Sequence, residues 1–350
     1  MRVLHLVDDT TAGGVMRVID HLLRGRGTGQ GVTHHLQVLT RGRLLPARLE
    51  ADVIVSHLRL GWRQLPMLAL MRARQRRLPM VHVEHHHTAA FVAENMRHGA
   101  RFRAMLHQCY ALFDRVVAVS GPQAQWLVRS GAVRAEAIAT IRPCVDLSAF
   151  RALPVRPPAP DQPVPGAPRL VIGAIGRLDR QKGFDILIAA FRRLPDPGLA
   201  LHVYGLGPEQ AALRQLAGGD PRIRFMGFAD PVAAQSAVDV VAMPSRWEPY
   251  GLVAVETLAA GRTLLINPVD GLSDHIPLGA RPVAAPDVDG WHAALATLEG
   301  TGTPRAGDDA PRGHALDLRP GPAHLEAAFN AGWRRLLAEV AKARSEKYLT

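Results

Sequence analysis

The sequence predicts an α/β protein of two successive units, each a doubly wound parallel β-sheet covered by helices. Three observations carry that prediction. Short, nearly continuous apolar runs alternate with helical patterns along the chain, as strands buried on both faces alternate with the helices that cover them. The alternation breaks once, at RALPVRPPAPDQPVPGAP (residues 151–168), which has seven prolines and neither the strand nor the helix period. A chain of 350 residues also has room for two separate cores.

In residues 1–150 the strands are expected at RVLHLV, HHLQVLT, DVIVSH, MVHVEH, RVVAVS and AIATIR. Helices fall between them at GGVMRVIDHLLRG, GWRQLPMLALMRARQRRL, ENMRHGARFRAMLHQCYALF and GPQAQWLVRSG. After the Pro-rich linker, residues 169–322 resume with RLVIGAIG, LALHVYG, RIRFMGF, VDVVAMP and TLLINP as strands. The intervening helices are FDILIAAFRRL, PEQAALRQLAG, PVAAQSA and GLVAVETLAAG. Residues 300–322 read as loop. In the last helix, within 323–350, Leu325, Phe329, Trp333, Leu336 and Leu337 form one apolar stripe, which suits packing back toward the first unit. Open parallel sheets bind ligands at the carboxyl ends of their strands, so a cleft between the two units is the expected site.

Composition narrows the classes. With 47% apolar residues, the chain reads as globular rather than disordered. No run approaches the ~20 apolar residues of a membrane span, and MRVLHLVDD reads as a buried strand rather than a secretory leader. Cys109 and Cys144 are too few for a disulfide framework and lack metal-ligand spacing. A cytoplasmic location is therefore expected. Charge is uneven: residues 1–150 hold 20 Arg+Lys against 10 Asp+Glu, and residues 151–350 hold 22 against 21. Within residues 59–103, nine arginines face only Glu84 and Glu94. This segment, with Trp62 at one end, suits either a peripheral contact with an anionic inner membrane face or a solvated helix on the sheet. Few aromatics interleave with the arginines, and no nucleic-acid-binding motif is present, so nucleic acid is not an expected partner.

The chemistry concentrates in two loops. Gly176-Arg177-Leu178-Asp179-Arg180-Gln181-Lys182-Gly183 joins an apolar strand to a helix, and Lys182 is one of only three lysines, with Lys342 and Lys347. A compact ammonium beside a guanidinium fork at a helix N-terminus suits a diphosphate. Glu248 and Glu256 lie eight residues apart in SRWEPYGLVAVETLAAG, a loop that runs into a helix. Taken alone, such an acid pair is more often solvated than functional; its setting between Pro244 and Gly261 argues otherwise.

These segments resemble the retaining glycosyltransferases of family 4 (glycosyl transferases group 1), which have the GT-B fold and move a sugar from a nucleotide donor. The resemblance covers residues 169–277. Gly-Arg-Leu followed three residues later by Lys-Gly matches Gly176 to Gly183. The V-x-G-x-G-P turn matches Val203 to Pro208, including Gly205, and Phe-x-Gly matches Phe225-Met226-Gly227. P-S-x-x-E-x-x-G-L-x-x-x-E matches Pro244 to Glu256 and takes in Tyr250, Gly251 and Leu252. The first half matches more loosely, through Gly13-Gly14-Val15, His85 and Val117 to Ser120. Ile141 to Asp146 stands where the family carries a Pro-Asn-Gly-Val-Asp-like stretch, here with Arg142 and Cys144.

The resemblance implies roles. Arg177 and Lys182 would neutralise the leaving diphosphate, Glu248 would bind hydroxyls of the donor sugar and Glu256 those of the ribose. Gly176 and Gly205 belong to the donor-binding turns, and the backbone of Arg224, Phe225 and Met226 runs where the base sits. Gly251 would let N–H groups at the next helix start approach the phosphates. Gly13 and Gly14 would close over the donor, and His85 would hydrogen-bond its sugar. The expected donor is a nucleoside-diphosphate sugar. The expected acceptor is a glycan or lipid-linked sugar of cell-envelope or exopolysaccharide synthesis. No cofactor is expected. A metal is not expected either: His85, His86 and His87 alternate faces on an extended strand and lack carboxylate partners at helical ligand spacing, so His86 and His87 are read as acceptor-side or solvated loop residues. Two other classes share the fold, a nucleotide-sugar epimerase and a non-catalytic partner subunit. No separate set of catalytic acids supports the first, and intact Arg177, Lys182, Glu248 and Glu256 argue against the second.

Overall fold

The computed structural model describes residues 1–11, 13–25, 28–29, 31–39, 49–154, 168–298 and 322–349. The chain divides into two compact units, Met1–Asp146 with Ala323–Thr350, and Leu147–Pro322.

The first unit runs β1 (Arg2–Val7), α1 (Gly14–Leu23), β2 (Thr33–Val38), β3 (Val53–Ser56), α2 (Leu65–Arg74), β4 (Met80–Glu84), α3 (Ala89–Asn95), α4 (Gly99–Tyr110), β5 (Arg115–Ala118), α5 (Gly121–Arg129) and β6 (Ile138–Thr140). Its six strands pair in parallel in the order β2-β1-β3-β4-β5-β6. The central strands β3 and β4 are buried at every position, which is why they read as unbroken apolar runs. Leu6, Ile54, Leu68, Met80, Leu106 and Leu127 join the sheet to α2, α4 and α5 in one core.

One expected helix is two. Residues 94–113 do not form a single helix: α3 starts earlier, where the Thr88 hydroxyl accepts the Phe91 N–H at 3.1 Å, and Met96 leaves it in an extended conformation (φ −114°, ψ 105°) before α4 begins at Gly99. The threonine cap is a start signal that the apolar spacing alone does not register.

The second unit runs α6 (Ser148–Arg151), β7 (Leu170–Ile175), α7 (Phe184–Phe191), β8 (Leu199–Tyr204), α8 (Gln210–Ala217), β9 (Ile223–Gly227), α9 (Pro231–Ser236), β10 (Val240–Met243), α10 (Leu252–Ala259), β11 (Thr263–Ile266), β12 (Arg281–Pro282) and α11 (Val288–Ala296). Its parallel order is β12-β11-β10-β7-β8-β9. The sequence reading passed over α6, β12, α11 and the 3-10 segment Asp270–Leu278. Of these, α11 bears most on the interior. Asp287 caps it by accepting the Gly290 N–H, and Trp291 is fully buried with its indole N–H donating to Asn267 Oδ1 at 2.8 Å.

Arg151, the first residue of the expected linker, ends α6, and residues 155–167 of that linker lie outside the described residues. The expected loop 300–322 likewise lies outside them up to residue 321. The final helix, α12 (Pro322–Leu349), belongs to the first unit. Phe329, Trp333, Leu336, Leu337 and Val340 are its buried stripe, with Trp333 edge-on to His5 and Phe329 against His21. Among the described residues, no helix is long and apolar enough to cross a membrane.

Candidate active site

In the second sheet the strand order reverses between β7 and β10, which are hydrogen-bonded neighbours. The carboxyl ends of such a pair splay their outgoing loops apart and leave a crevice for ligand. The two loops singled out in the sequence leave these two strands. After β7 the chain passes Gly176 and the 3-10 turn Arg180–Lys182, then enters α7 through Gly183, whose φ is 65°. A Cβ on Gly183 would lie 2.1 Å from the Pro244 carbonyl oxygen. Only glycine therefore lets the lysine loop rest on the start of the glutamate loop.

That close approach pairs Lys182 with Glu248: Nζ bonds Oε2, and the Ser245 hydroxyl lies 3.4 Å from the same oxygen. Glu248 is 6% exposed. A second pair straps the loops together. Arg246 donates to both carboxylate oxygens of Asp185 at 2.8 and 2.7 Å, and to the Arg180 carbonyl at 3.0 Å. The Arg246 N–H meets the Gln181 carbonyl at 2.8 Å, and the Gln181 amide returns to the Trp247 carbonyl at 3.1 Å. Burial alone would raise the Asp185 pKa, but the Arg246 guanidinium outweighs it and holds the carboxyl below its usual range. Behind the loop, Asn267 donates to the Ser245 carbonyl at 3.1 Å. Sequence reasoning missed Arg246 and its bond to Asp185, because nothing local links two side chains 61 positions apart.

The remaining residues divide between those the structure gathers and those it does not. Arg177 is at the same strand end but directs its Nε to Asp179 at 2.5 Å, so it does not join the Lys182–Glu248 pair. Gly205, at the end of β8, is there for packing: a Cβ would sit 1.9 Å from the Gly176 carbonyl oxygen. Tyr250 is buried, its carbonyl accepting from His275 Nε2 at 2.9 Å. Gly251 takes φ 89° as the N-cap of α10, and Leu252 begins the helix, whose first N–H groups lack intrahelical acceptors and suit a phosphate oxygen. Glu256 lies within α10 at 1% exposure, more enclosed than a surface acid pair would be. On β9, Arg224 and Met226 are exposed, whereas Phe225 turns toward the core with the Arg214 guanidinium 4.7 Å over its ring. Phe228, just beyond, is 73% exposed and was not singled out in the sequence.

In the first unit, Gly13 is the N-cap of α1 in extended conformation (φ −177°), and Gly14 opens the helix. A Cβ on Gly13 would meet only the Thr11 carbonyl, at 3.8 Å, an ordinary contact. His85 follows β4 and places Nε2 2.8 Å from His57 Nδ1. Burial lowers its pKa to about 3, with His86 acting the same way and Glu84 against it, so the ring is neutral at physiological pH. The loop around it is anchored by the buried carboxylate of Glu84. One oxygen accepts the N–H groups of His86 and His87 at 2.6 and 2.9 Å, and the other accepts the Tyr110 hydroxyl at 2.6 Å and bonds His87 Nδ1 at 3.0 Å. Burial would raise the Glu84 pKa, but His87 and His82 hold it well below the usual range. His87 is thus a buried structural residue packed on Phe91 and Phe102, which corrects the reading of it as acceptor-side or solvated. Among the described residues, no group of three or more His, Cys, Asp or Glu is arranged to hold a metal ion.

Two parallel six-stranded units, the second with a Lys–Glu pair at its switch point, define a GT-B-type α/β fold. The profile described as Glycosyl transferases group 1 matches residues 169–299, and Glycosyltransferase Family 4 matches residues 12–149. The chain belongs to this glycosyltransferase family. It is 33% identical over 210 residues to D-inositol 3-phosphate glycosyltransferase of Saccharomonospora viridis, covering 55% of this chain and 48% of that protein. The chain thus spans about half the length of that relative. Among solved structures it is similar to HepE of Anabaena in complex with UDP, with a TM-score of 0.66, 18% identity and coverage of 98% of this chain and 100% of that one. It is also similar to sucrose-phosphate synthase of Thermosynechococcus elongatus, with a TM-score of 0.63, 19% identity and coverage of 99% and 98%.

Proposed function

We propose that this protein transfers a sugar, with retention at the anomeric carbon, from a nucleoside-diphosphate donor to a glycan or lipid-linked acceptor of cell-envelope or exopolysaccharide synthesis. The observation that carries the proposal is the Lys182–Glu248 pair at the β7/β10 switch point. Lys182 has three N–H donors, so it can keep Glu248 and still bond a phosphate oxygen. Glu248 then has Oε1 for a sugar hydroxyl. Arg177 and the first N–H groups of α10 add positive potential where charge grows on the leaving diphosphate, which favours the transition state over the ground state. Exposed Phe228 offers a flat face beside the proposed base position. Glu256 would meet the ribose, Gly13 and Gly14 the donor, and neutral His85 a sugar hydroxyl. No covalent nucleophile is assigned, and no metal is required.

Thermal shifts with UDP, GDP, ADP and their sugars test the donor site, because ligand that binds only the native state raises the melting point. UDP comes first, since solved HepE structures hold UDP and UDP-glucose. One base class should stabilise the wild type, and the effect should shrink in Glu248→Gln. No shift with any nucleotide would sink the donor site. Transfer should persist in excess chelator, and anomeric NMR of the product should show the donor's configuration.

A peripheral membrane contact is the second part of the reading, favoured by the exposure of Trp62 and Leu70 beside the exposed arginines Arg63, Arg74, Arg76 and Arg77. Co-sedimentation with anionic but not neutral vesicles, lost in a Trp62→Ala/Arg76→Ala/Arg77→Ala variant, is the expected outcome. Equal partition to both vesicle types would remove it.

A further inference from the structure

Four histidines on neighbouring strands of the first sheet form one hydrogen-bonded chain. His34 lies on β2, His5 on β1, and His57 and His85 directly follow β3 and β4. Those strands are adjacent in the order β2-β1-β3-β4. His34 Nδ1 lies 2.9 Å from His5 Nε2, His5 Nδ1 2.9 Å from His57 Nε2, and His57 Nδ1 2.8 Å from His85 Nε2. At the far end the Thr28 hydroxyl is 2.9 Å from His34 Nε2. His5, His34 and His57 are buried, and successive rings lie 5.1 to 5.2 Å apart, tilted by only 23° to 31°. An apolar cavity whose lining includes Val83, Val117, Ile141 and Trp333 borders His57 and His85.

Every link in this chain joins an Nδ1 to an Nε2. A neutral imidazole has one N–H and one lone pair, so each link needs a donor on one side and an acceptor on the other. If His57 carries its proton on Nδ1, it donates to His85 Nε2, and His85 must then carry its own proton on Nδ1. The same step repeats at each link. All four rings are therefore Nδ1–H, or all four are Nε2–H, and no mixture satisfies every bond. Thr28 can close either polarity, since a hydroxyl both donates and accepts, but without that hydroxyl a proton on the buried His34 Nε2 would lose its acceptor, so removing it disfavours the Nε2–H polarity. A charged ring would donate from both nitrogens and break the sequence. Burial opposes that, lowering His5 and His85 to about 3, His34 to about 4 and His57 well below its ordinary value.

We propose that Thr28, His34, His5 and His57 act with His85 as one tautomeric unit that fixes whether His85 Nδ1 donates or accepts a hydrogen bond. The four are positioning residues. The inference rests on the proposed place of His85 in the transfer site. In the Nδ1–H polarity His85 offers a donor to a sugar oxygen, and in the Nε2–H polarity it offers a lone pair to a hydroxyl. The choice is coupled through three rings to a threonine on the far side of β2.

Nitrogen-15 NMR of the full chain labelled at histidine tests this, because protonated and unprotonated ring nitrogens have well-separated shifts. At pH 7.5 the four rings should share one tautomer. Opposite tautomers at any two linked rings, or a charged ring among them, would overturn the proposal without any variant. Thr28→Val removes the hydroxyl end, and it should move the His85 ring shifts and lower kcat at least about tenfold while the donor KM changes little, as misplacing a histidine tautomer does elsewhere. Unmoved His85 shifts in Thr28→Val would rule out the coupling. Shared tautomers together with full activity in His85→Ala would leave the chain standing and remove His85 from the transfer site.

Discussion

Lys182 and Glu248 are ion-paired at the adjoining ends of β7 and β10, although 66 residues separate them in the chain. Both side chains are largely shielded, at 17% and 9% exposure, so the pair is held in place before any ligand arrives. Such a pair contributes order to a site more reliably than it contributes stability, since desolvation offsets much of the attraction.

The pair therefore has a specific signature in a mutant cycle. Lys182→Met leaves a shielded carboxylate without its cation, and is expected to cost about 1–3 kcal/mol of stability along with nucleotide affinity. Lys182→Met combined with Glu248→Gln should recover most of the stability and none of the affinity. Urea unfolding and nucleotide titration of the single and double variants check this. Stability losses that simply add would mean the two side chains do not interact.

Arg246 and Asp185 act one step behind that pair, as a strap between the two loops. Asp185→Asn removes the charge and one arm of the two-pronged contact, and it touches none of the proposed phosphate ligands. Nucleotide binding is expected to weaken roughly two- to fivefold, the worth of a partly exposed ion pair. Calorimetric titration decides it. Unchanged affinity would confine the strap to fold stability.

Gly183 makes the loop contact possible. With φ at 65° and the Pro244 carbonyl where a Cβ would go, Gly183→Ala combines a left-handed strain with a steric clash. A loss of at least about 2 kcal/mol is expected, read as a lowered melting point. Gly13→Ala meets no comparable obstacle in the fold and should melt near the wild type.

Acid should destabilise the first unit early. His5 and His85 have folded pKa values near 3, and His34 and His86 near 4, against about 6.5 unfolded. Between those limits the unfolded chain binds more protons than the folded one, so stability falls as pH drops below about 6.5. Each fully buried ring adds a slope of up to about 1.4 kcal/mol per pH unit. Glu84, with its folded pKa lowered, adds a further loss only in the carboxylate range. Unfolding free energies at pH 7.5, 6.5, 5.5 and 5.0 should decline from the first histidine step onward. A flat profile down to pH 5 would show that these rings are not buried neutral.

The alternation of strands and helices, the parallel sheets and the loops that bear Lys182 and Glu248 are all legible in the order of amino acids. Each is written locally: in unbroken apolar runs such as VIVS and MVHVE, in glycines that open turns, and in motif spacing within a few residues. That order did not show α11, although Val288, Trp291 and Leu295 keep a helical period there behind the Asp287 cap. Nor did it show that residues 94–113 break at Met96. Which side chains meet is a property of the folded chain. β10 lies beside β7 because the chain crosses back over the sheet, and that crossover joins Lys182 to Glu248 and Arg246 to Asp185. The chain of His34, His5, His57 and His85 likewise depends on the register of the first four strands and on their spatial order β2-β1-β3-β4, which differs from their order along the chain. Local periodicity fixes which way a side chain faces, whereas a hydrogen bond between strands needs their register to within a fraction of an ångström, and packing alone sets that.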